Sequence, residues 1–306
     1  MQSKRCVVLG ANGFLGCALT PQLLEAGHHV IACDLAREFS SIAPHSRLEC
    51  LTLDFLDEVA VREAVAGADW VFHLVSTTKP ASSNVNMAFD VQTNVVATIH
   101  LLEACAAEGV GRVLFASSGG TVYGIPSSLP VREDMPTLPI VSYGLTKLVI
   151  ERYAELFERQ KGLQTVSLRI GNPYGPRHYD PNQGVIPVFM RQIRQGRQLK
   201  IWGDGSIIRD YVYVDDVARA FILAARYAGP LRQFNIASGE GRSVRDIVHQ
   251  LELLNGAPVE VEYVAARGFD IPAIVLDITR AREVLGWHPG VRFEEGLRLT
   301  WEAMSL

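Results

Sequence analysis

Two residues that can move protons, Tyr143 and Lys147, stand four positions apart in the segment Ser142-Tyr-Gly-Leu-Thr-Lys147. Positions i and i+4 of a helix share one face, so this spacing places a phenol beside an ammonium. A neighbouring cation favours phenolate, and we therefore expect the pKa of Tyr143 to fall from about 10 towards neutral pH. Such a tyrosine can take a proton from a sugar or alcohol hydroxyl and later return it.

Three glycines near the start of the chain suit a dinucleotide. Gly10, Gly13 and Gly16 form the pattern G-x-x-G-x-x-G between a strand-like and a helix-like segment. Glycine permits a tight turn and a close approach of the pyrophosphate, and the helix that follows offers free N–H groups to phosphate oxygens. The alternative is an ordinary strand–helix turn. The placement of the motif favours a dinucleotide that accepts hydride.

Two acidic residues end the next strand-like segments. A carboxylate at Asp34 would bind ribose hydroxyls and repel a 2′-phosphate, which predicts NAD rather than NADP. The alternative for Asp34 is a surface acid. Asp54 is expected at the adenine edge or, alternatively, as the N-cap of the following helix.

The elements that must position these residues alternate along the first half of the chain. Strands are predicted at residues 5–10, 29–34, 48–53, 70–75, 112–117 and 164–170, and helices at 14–26, 57–66, 89–108 and 142–161. This alternation predicts an α/β fold with a doubly wound, parallel Rossmann sheet and helices on both faces.

After Gly171 the pattern becomes turn-rich. Helices are predicted at residues 185–195, 215–227, 243–254, 279–286 and 294–304, and strands at 199–202, 233–237 and 259–263. We therefore place an NAD-binding Rossmann domain at 1–171 and a smaller, interleaved substrate-binding domain at 172–306. Residues 210–237 are expected to return to the first domain, and a cleft is expected between the two.

The composition narrows the class of protein. The chain has 306 residues, 48% of them hydrophobic, which is enough for a substantial core. Its net charge of −4 gives no basic field for nucleic acid or an anionic membrane. We find no signal peptide and no run of apolar residues that could span a membrane. The five cysteines are odd in number and widely spaced, which argues against a disulfide framework or a metal site and favours the cytoplasm.

Taken in order, the motifs of the chain resemble a known family. They are Gly10-Ala-Asn-Gly-Phe-Leu-Gly16, Phe72-His-Leu-Val75, Ser117-Ser-Gly-Gly-Thr-Val-Tyr-Gly124, Tyr143-x-x-x-Lys147, Asn172-Pro-Tyr-Gly-Pro176, Trp202-Gly-Asp-Gly205, Arg209-Asp-Tyr-Val-Tyr-Val-Asp-Asp216 and Leu285-Gly-Trp287. Together they resemble the extended short-chain dehydrogenase/reductases of the UDP-glucose 4-epimerase-like branch. The resemblance implies a Rossmann domain and a small C-terminal domain that binds a nucleoside diphosphate sugar.

The resemblance also implies functions for individual residues. Tyr143 would be the acid/base, and Lys147 would also hold the nicotinamide ribose. The remaining cofactor contacts would come from Gly10, Asn12, Gly13, Phe14, Leu15, Gly16, Asp34, Asp54, Phe55, Leu74, Val75 and Ser117. The UDP-sugar would be bound by Asn172, Val185, Arg209, Arg267, Asp270 and Ile274, the last of these in the hexose pocket.

Some of these functions have open alternatives. The guanidinium of Arg209 suits phosphate oxygens, but an ion pair with Asp210 or Asp215 is also possible. Asn172 is expected at the diphosphate or, alternatively, as a cap of the turn before Pro173. Relatives form homodimers through helices that match residues 89–108 and 147–157, although helices that cover their own sheet have similar apolar stripes.

One departure concerns a hydroxyl that assists the proton transfer. The family usually carries Ser or Thr four residues before the tyrosine of its V-Y-G segment, and counting back from Tyr123 places Gly119 there. Ser118 and Thr121 are the nearest hydroxyls, and Thr121 is expected on the same side of an extended backbone as Gly119. A water molecule could also stand in, or these hydroxyls could serve only the turn. Gly120 stands where related dehydratases carry an acid, which disfavours dehydration.

The sequence therefore predicts an NAD-dependent UDP-hexose 4-epimerase that works through a transient 4-keto sugar. A nucleotide-sugar 4-ketoreductase needs the same residues and is the alternative enzyme. An NAD(P)-binding sensor protein is the alternative outside enzymes, although such proteins commonly lose the Tyr/Lys pair. No metal ion is expected.

Overall fold

The computed structural model describes residues 2–178, 180, 183–266, 268 and 270–304. Its centre is a seven-stranded sheet with the order β10-β6-β5-β4-β1-β2-β3, and every pairing in the sheet is parallel. The strand bounds are β1 Arg5–Leu9, β2 His29–Asp34, β3 Leu48–Thr52, β4 Trp70–His73, β5 Arg112–Ser118, β6 Thr165–Ile170 and β10 Gln233–Ile236. The predicted α/β class with a Rossmann-like sheet is confirmed.

Helices cover both faces of this sheet because each buries one apolar side against it. On one face lie α1 Phe14–Glu25, α7 Val214–Arg226 and α9 Thr279–Leu285, whose apolar residues share one core with the sheet. On the other face lie α2 Glu58–Val65, α4 Ala97–Ala107 and α5 Ser142–Lys161. The central strands are buried on both sides, which explains their nearly continuous apolar sequences.

A second, smaller core lies in the later part of the chain. It is built around buried aromatic and aliphatic residues that include Tyr174, Phe189 and Ile247. Its strands form two small sheets, β11-β9-β7 and β12-β8, with the bounds β7 Asn172–Tyr174, β8 Leu199–Trp202, β9 Ile208–Tyr213, β11 Gly241–Ser243 and β12 Val261–Val264. The helices here are α6 Val185–Arg194, α8 Val244–Asn255 and α10 Phe293–Ala303.

The structure departs from the predicted elements at identifiable places. Strands β7, β9 and β11 were missed, because β7 and β11 have three residues each and β9 lies among polar and aromatic residues. The predicted helix 89–108 is instead three consecutive pieces: α3 Met87–Asp90, a π-helical turn Val91–Val96, and α4. The predicted return of residues 233–237 to the main sheet is seen in β10. The domain boundary at 171/172 stays a prediction.

Among the described residues, no helix combines the length and the apolar character needed to cross a membrane.

Candidate active site

The glycine turn leaves no room for side chains. Gly10 has a φ of +85°, in the left-handed region that favours glycine. A Cβ on Gly16 would lie 2.3 Å from the carbonyl oxygen of Gly10, and one on Gly13 would lie 3.1 Å from the same atom. Helix α1 begins here without a side-chain cap, so its first N–H groups point out of the turn. This cradle fits a pyrophosphate.

Asp34 lies beside this turn at the carboxyl end of β2. Its Oδ2 accepts a hydrogen bond from the backbone N–H of Asn12 at 2.9 Å, and its Oδ1 accepts one from Ala36 at 3.2 Å. The carboxylate therefore fixes the glycine turn as well as standing where a ribose is expected. Asp54 is exposed and accepts the N–H of Leu56. The alternative that Asp54 caps the next helix is wrong, because Asp57 is the N-cap of α2.

Leu74 and Val75 follow β4 and lie directly against the glycine turn. A Cβ on Gly10 would meet the backbone nitrogen of Val75 at 3.3 Å. Below them, Phe55 stacks on His73 with ring centroids 4.8 Å apart. Burial lowers the pKa of His73 to about 3, so this imidazole is neutral at pH 7.

The other predicted residues of the turn join it to the rest of the molecule. The Phe14 ring stacks on His178, with centroids 4.4 Å apart, and Leu15 packs against the main core. The stacking joins the glycine turn to the loop that follows β7.

Tyr143 and Lys147 lie in the first two turns of α5, as the sequence predicted. Lys147 is buried, and its Nζ donates a hydrogen bond of 2.9 Å to the carbonyl of Ala116. The same nitrogen lies 5.4 Å from the centroid of the Tyr143 ring and 4.8 Å from that of Phe115. The i, i+4 spacing therefore brings ammonium and phenol ring to one face.

The predicted fall in the pKa of Tyr143 is wrong for the free chain. The pKa of this phenol is raised to about 12, chiefly by burial; Ser76 lowers the pKa, and the negative charge of Asp90 raises it. Burial also lowers the pKa of Lys147 to about 8, against the effect of Asp90 and Glu151. The sequence argument weighed the ammonium alone and omitted desolvation, which acts against both charged forms.

Three residues that hold Tyr143 were missed from the sequence. Ser76 lies near enough to the phenol to lower its pKa, and it directly follows Val75 of the glycine-turn contact. The backbone N–H of Tyr143 donates to Ser83 Oγ at 3.0 Å, and that of Ser142 donates to Asn84 Oδ1 at 2.8 Å. The N-cap residue Val141 offers no side-chain acceptor, so a distant loop caps the helix. The one available signal was the position of Ser76 after a strand at the predicted cofactor edge.

The segment after β5 has a different conformation from the one expected at the candidate hydroxyls. Residues 118–122 form a tight turn, in which the N–H groups of Thr121 and Val122 donate to the carbonyl of Ser118. The sequence argument assumed an extended backbone here, and that assumption is wrong. A Cβ on Gly119 would point into the core, 2.4 Å from Leu276 Cδ1 and 2.9 Å from the Arg169 carbonyl oxygen. A side chain at position 119 would therefore crowd the core.

Ser118 lies on the other side of this turn. A Cβ on Gly120 would lie 4.0 Å from Ser118 Oγ and 3.4 Å from Asn172 Oδ1, so both polar atoms converge on the same space. The Thr121 carbonyl packs against Gly144, beside Tyr143, while the Thr121 hydroxyl is buried without a partner among the described residues. The Ser117 hydroxyl instead points to Glu151 Oε1, at 2.5 Å.

The structure brings only some of the residues predicted to bind the sugar nucleotide close together. Asn172 begins β7, in a strand rather than in a turn before Pro173, and Arg209 lies in the paired strand β9. Arg209 donates to the carbonyls of Ile208 and Ile271. Val185 begins α6 and packs on the smaller core, and Asp270 is half-buried. Arg267 lies outside the described residues.

Ile274 does not line an open hexose pocket in this structure. Its side chain is 1% exposed and belongs to the main hydrophobic core, and its N–H donates to the Ile208 carbonyl. That expectation is corrected, because the extended segment that follows Asp270 turns Ile274 inwards.

Comparison with known proteins agrees with this geometry. The model of the NAD dependent epimerase/dehydratase family matches residues 6–237. The chain belongs to this family. A "UDP-glucose 4-epimerase" of Mycolicibacterium smegmatis is 38% identical over 97% of both chains. A "dTDP-4-dehydro-6-deoxyglucose reductase" of Escherichia coli is 32% identical over 95% of this chain and 94% of its own.

Among solved structures, the UDP-glucose 4-epimerase of Thermotoga maritima with UDP-glucose is similar, with a TM-score of 0.93, 35% identity and 98% of both chains covered. As a member of this family, the chain uses NAD as its cofactor. The cradle of the glycine turn, the acid after β2 and the Tyr/Lys pair fit that cofactor. Family members with 30–38% identity act on nucleotide sugars and include both epimerases and a reductase.

Proposed function

We propose that this epimerase-family protein is a UDP-hexose 4-epimerase. The observation that carries the proposal is that the segment packed on the glycine turn continues directly to the surroundings of the proton-transfer group. Val75 packs against Gly10, and the next residue, Ser76, lies near enough to the Tyr143 phenol to lower its pKa. A nicotinamide ring placed from the glycine turn would therefore share a cleft with the phenol.

The residues of the chain divide the chemical work between them. NAD, when bound, supplies the reversible oxidation of a carbinol carbon to a carbonyl. The Tyr143 phenol exchanges the proton of the C4 hydroxyl, and Ser118 binds the same oxygen and orients it. Lys147, with a pKa of about 8, is an ammonium at neutral pH and opposes the cost of forming a buried phenolate. The 4-keto sugar turns in the cleft before Tyr143 returns the proton.

We assign the diphosphate of the substrate to Asn172 and Arg209, and its ribose to Arg267 and Asp270. Asn172 Oδ1 converges with Ser118 Oγ on the space above Gly120, which supports a sugar nucleotide that runs from the catalytic turn towards β7 and β9. The guanidinium of Arg209 suits phosphate oxygens in this position.

The test is to incubate purified protein with UDP-glucose, UDP-galactose and their N-acetyl forms, with nothing added. We expect interconversion at C4 of at least one pair. Tyr143→Phe should bind NAD yet lose turnover by a factor on the order of 10² to 10⁴, the usual size of acid–base catalysis. Ser118→Ala should lose less. Wild-type turnover in Tyr143→Phe would refute the mechanism.

A nucleotide-sugar 4-ketoreductase is the second candidate, because one relative with 32% identity has a reductase name. The two functions differ in the fate of the cofactor. Net consumption of NADH or NADPH with a 4-keto sugar, and no interconversion of the four UDP-sugars, would favour the reductase.

We also propose that the protein is a homodimer. Exposed apolar side chains occur on α3, the π-helical turn and α5, among them Phe89, Val91, Leu145 and Leu156. Apolar residues left in water on adjacent helices favour a partner surface. Light scattering during gel filtration should give a dimer mass, and a monomer would refute this proposal.

A further inference from the structure

A buried carboxylate, Asp90, ends the short helix α3 at the start of the π-helical turn. Its side chain has no exposed surface. Its Oδ1 accepts hydrogen bonds from Thr78 Oγ1 at 2.5 Å and from Asn94 Nδ2 at 2.9 Å. Its Oδ2 accepts one from Ser142 Oγ at 2.6 Å. Both oxygens are therefore bound within the protein.

The three donors belong to three different elements. Thr78 lies in the loop that continues from Ser76, Asn94 lies in the π-helical turn, and Ser142 is the first residue of α5, next to Tyr143. The Asn94 side chain also accepts the N–H of Thr77 and so closes the loop onto the turn. Asp90 thus connects the loop that follows Ser76 with the helix that carries the phenol.

Asp90 and the other nearby acid, Glu151, differ in the partners of their carboxylates. Glu151 makes a buried ion pair with Arg169, whose Nη2 lies 2.7 Å from Glu151 Oε2. Among the described residues, the hydrogen-bond donors to Asp90 are all neutral. Its negative charge is therefore not cancelled by a direct partner, and it acts on the ionisable groups packed around it.

The groups around Lys147 have opposing effects on its charge. Asp90 from α3 and Glu151 from α5 both raise the pKa of Lys147, whereas burial lowers it. Tyr143 lies on the same face of α5, and the positive charge of Lys147 lowers the pKa of the His73 imidazole on β4. Of the two acids, only Glu151 has a guanidinium paired to it, so Asp90 supplies the larger uncompensated field.

We propose that Asp90 is a positioning residue, which fixes the first turn of α5 through Ser142 and serves as the buried counter-charge that keeps Lys147 an ammonium. This inference rests on the proposed function for its meaning in catalysis. The location and ionisation of these groups are independent of which sugar the protein uses.

The test is the titration of Lys147 by NMR with lysine labelled at its side-chain carbon, assigned with a Lys147→Met variant. Asp90→Asn keeps the shape, because its oxygen can accept from Thr78 and Asn94 while the Ser142 hydroxyl rotates to accept from its amide. We expect the Lys147 midpoint to fall from about 8 by about one pH unit. The alkaline limb of kcat/KM should move to lower pH by the same amount.

Two controls separate charge from structure. Asp216→Asn removes another fully buried carboxylate, which binds the N–H groups of Gly290 and Val291, and should leave the Lys147 midpoint unchanged. Ser142→Ala breaks the link to α5 without changing a charge, so it should lower kcat about tenfold with the midpoint unchanged. It also tests the positioning function if Asp90→Asn does not fold.

An unchanged midpoint in Asp90→Asn would overturn the counter-charge function, as would an equal shift in Asp216→Asn. Unchanged kcat in Ser142→Ala would overturn the positioning function. The titration needs no turnover, so it remains decisive even if none of the UDP-sugars is a substrate.

Discussion

The tight turn after β5 allows a sharp test with two neighbouring glycines. Alanine at position 119 would place its Cβ 2.4 Å from Leu276 Cδ1 and 2.9 Å from the carbonyl oxygen of Arg169. Carbon atoms in contact prefer about 3.5–4.0 Å, so the side chain and the backbone must both shift. Overpacking of this kind costs about 1–3 kcal/mol.

Gly120→Ala is the matched control. Its Cβ would meet Asn172 Oδ1 at 3.4 Å, an ordinary contact. Neither glycine has the positive φ that would strain alanine. Alanine at position 120 should therefore be neutral or stabilising by up to about 1 kcal/mol, because it restricts the unfolded chain.

The assay is denaturant unfolding of both variants side by side, with thermal melting as a second measure. We expect Gly119→Ala to be less stable than Gly120→Ala by roughly 1–4 kcal/mol, the sum of the two effects. Leu276→Ala should reduce the cost of Gly119→Ala, because it removes one of the two contacts. Equal stability of the two glycine variants would refute the orientation of residue 119 and reopen the assignment of the hydroxyl to Ser118.

Two further predictions concern buried charges. Glu151→Gln should lower the free energy of unfolding by about 3–5 kcal/mol in the same assay, because it leaves Arg169 buried without its anion. The control is Glu302→Gln, which removes the acid of an exposed pair with Arg298 and should cost no more than about 1 kcal/mol. Similar costs for the two variants would contradict this prediction. Lys147 has a pKa of about 8 in the folded chain and 10.5 ordinarily, so between these values the unfolded chain binds a proton that the folded chain lacks, and stability rises with pH. The stability of wild type relative to Lys147→Met, measured without NAD, should therefore rise by roughly 3 kcal/mol from pH 8 to pH 10.5, and a flat difference would show that the ammonium is not desolvated.

Much of the fold could be predicted because the relevant signals are local. Apolar strands such as 29–34 and the glycine that ends α5, Gly162, mark element bounds within a few residues. The same holds for the pair Tyr143 and Lys147, whose spacing alone places them on one helical face.

What could not be predicted depends on contacts between distant residues. The crowding that a side chain at position 119 would meet comes from Leu276, more than 150 positions later. Counting residues back from Tyr123 could not reveal this contact. The raised pKa of Tyr143 depends on burial and on Asp90, neither of which a motif records. Likewise, the cap of α5 comes from Ser83 and Asn84 rather than from the preceding residue.

The segment 271–278 also bears on how the protein is made. Val275 and Asp277 make backbone hydrogen bonds with Val131, and Pro272 and Ile274 make them with Ile208. The backbone N–H of Leu276 donates to the carboxylate of Asp210. During synthesis on the ribosome, the Rossmann strands β1 to β6 emerge long before segment 271–278 does. A nascent chain can therefore build most of its nucleotide-binding sheet early, but the backbone hydrogen bonds to Val131 and Ile208 form only when nearly the whole polypeptide has been translated.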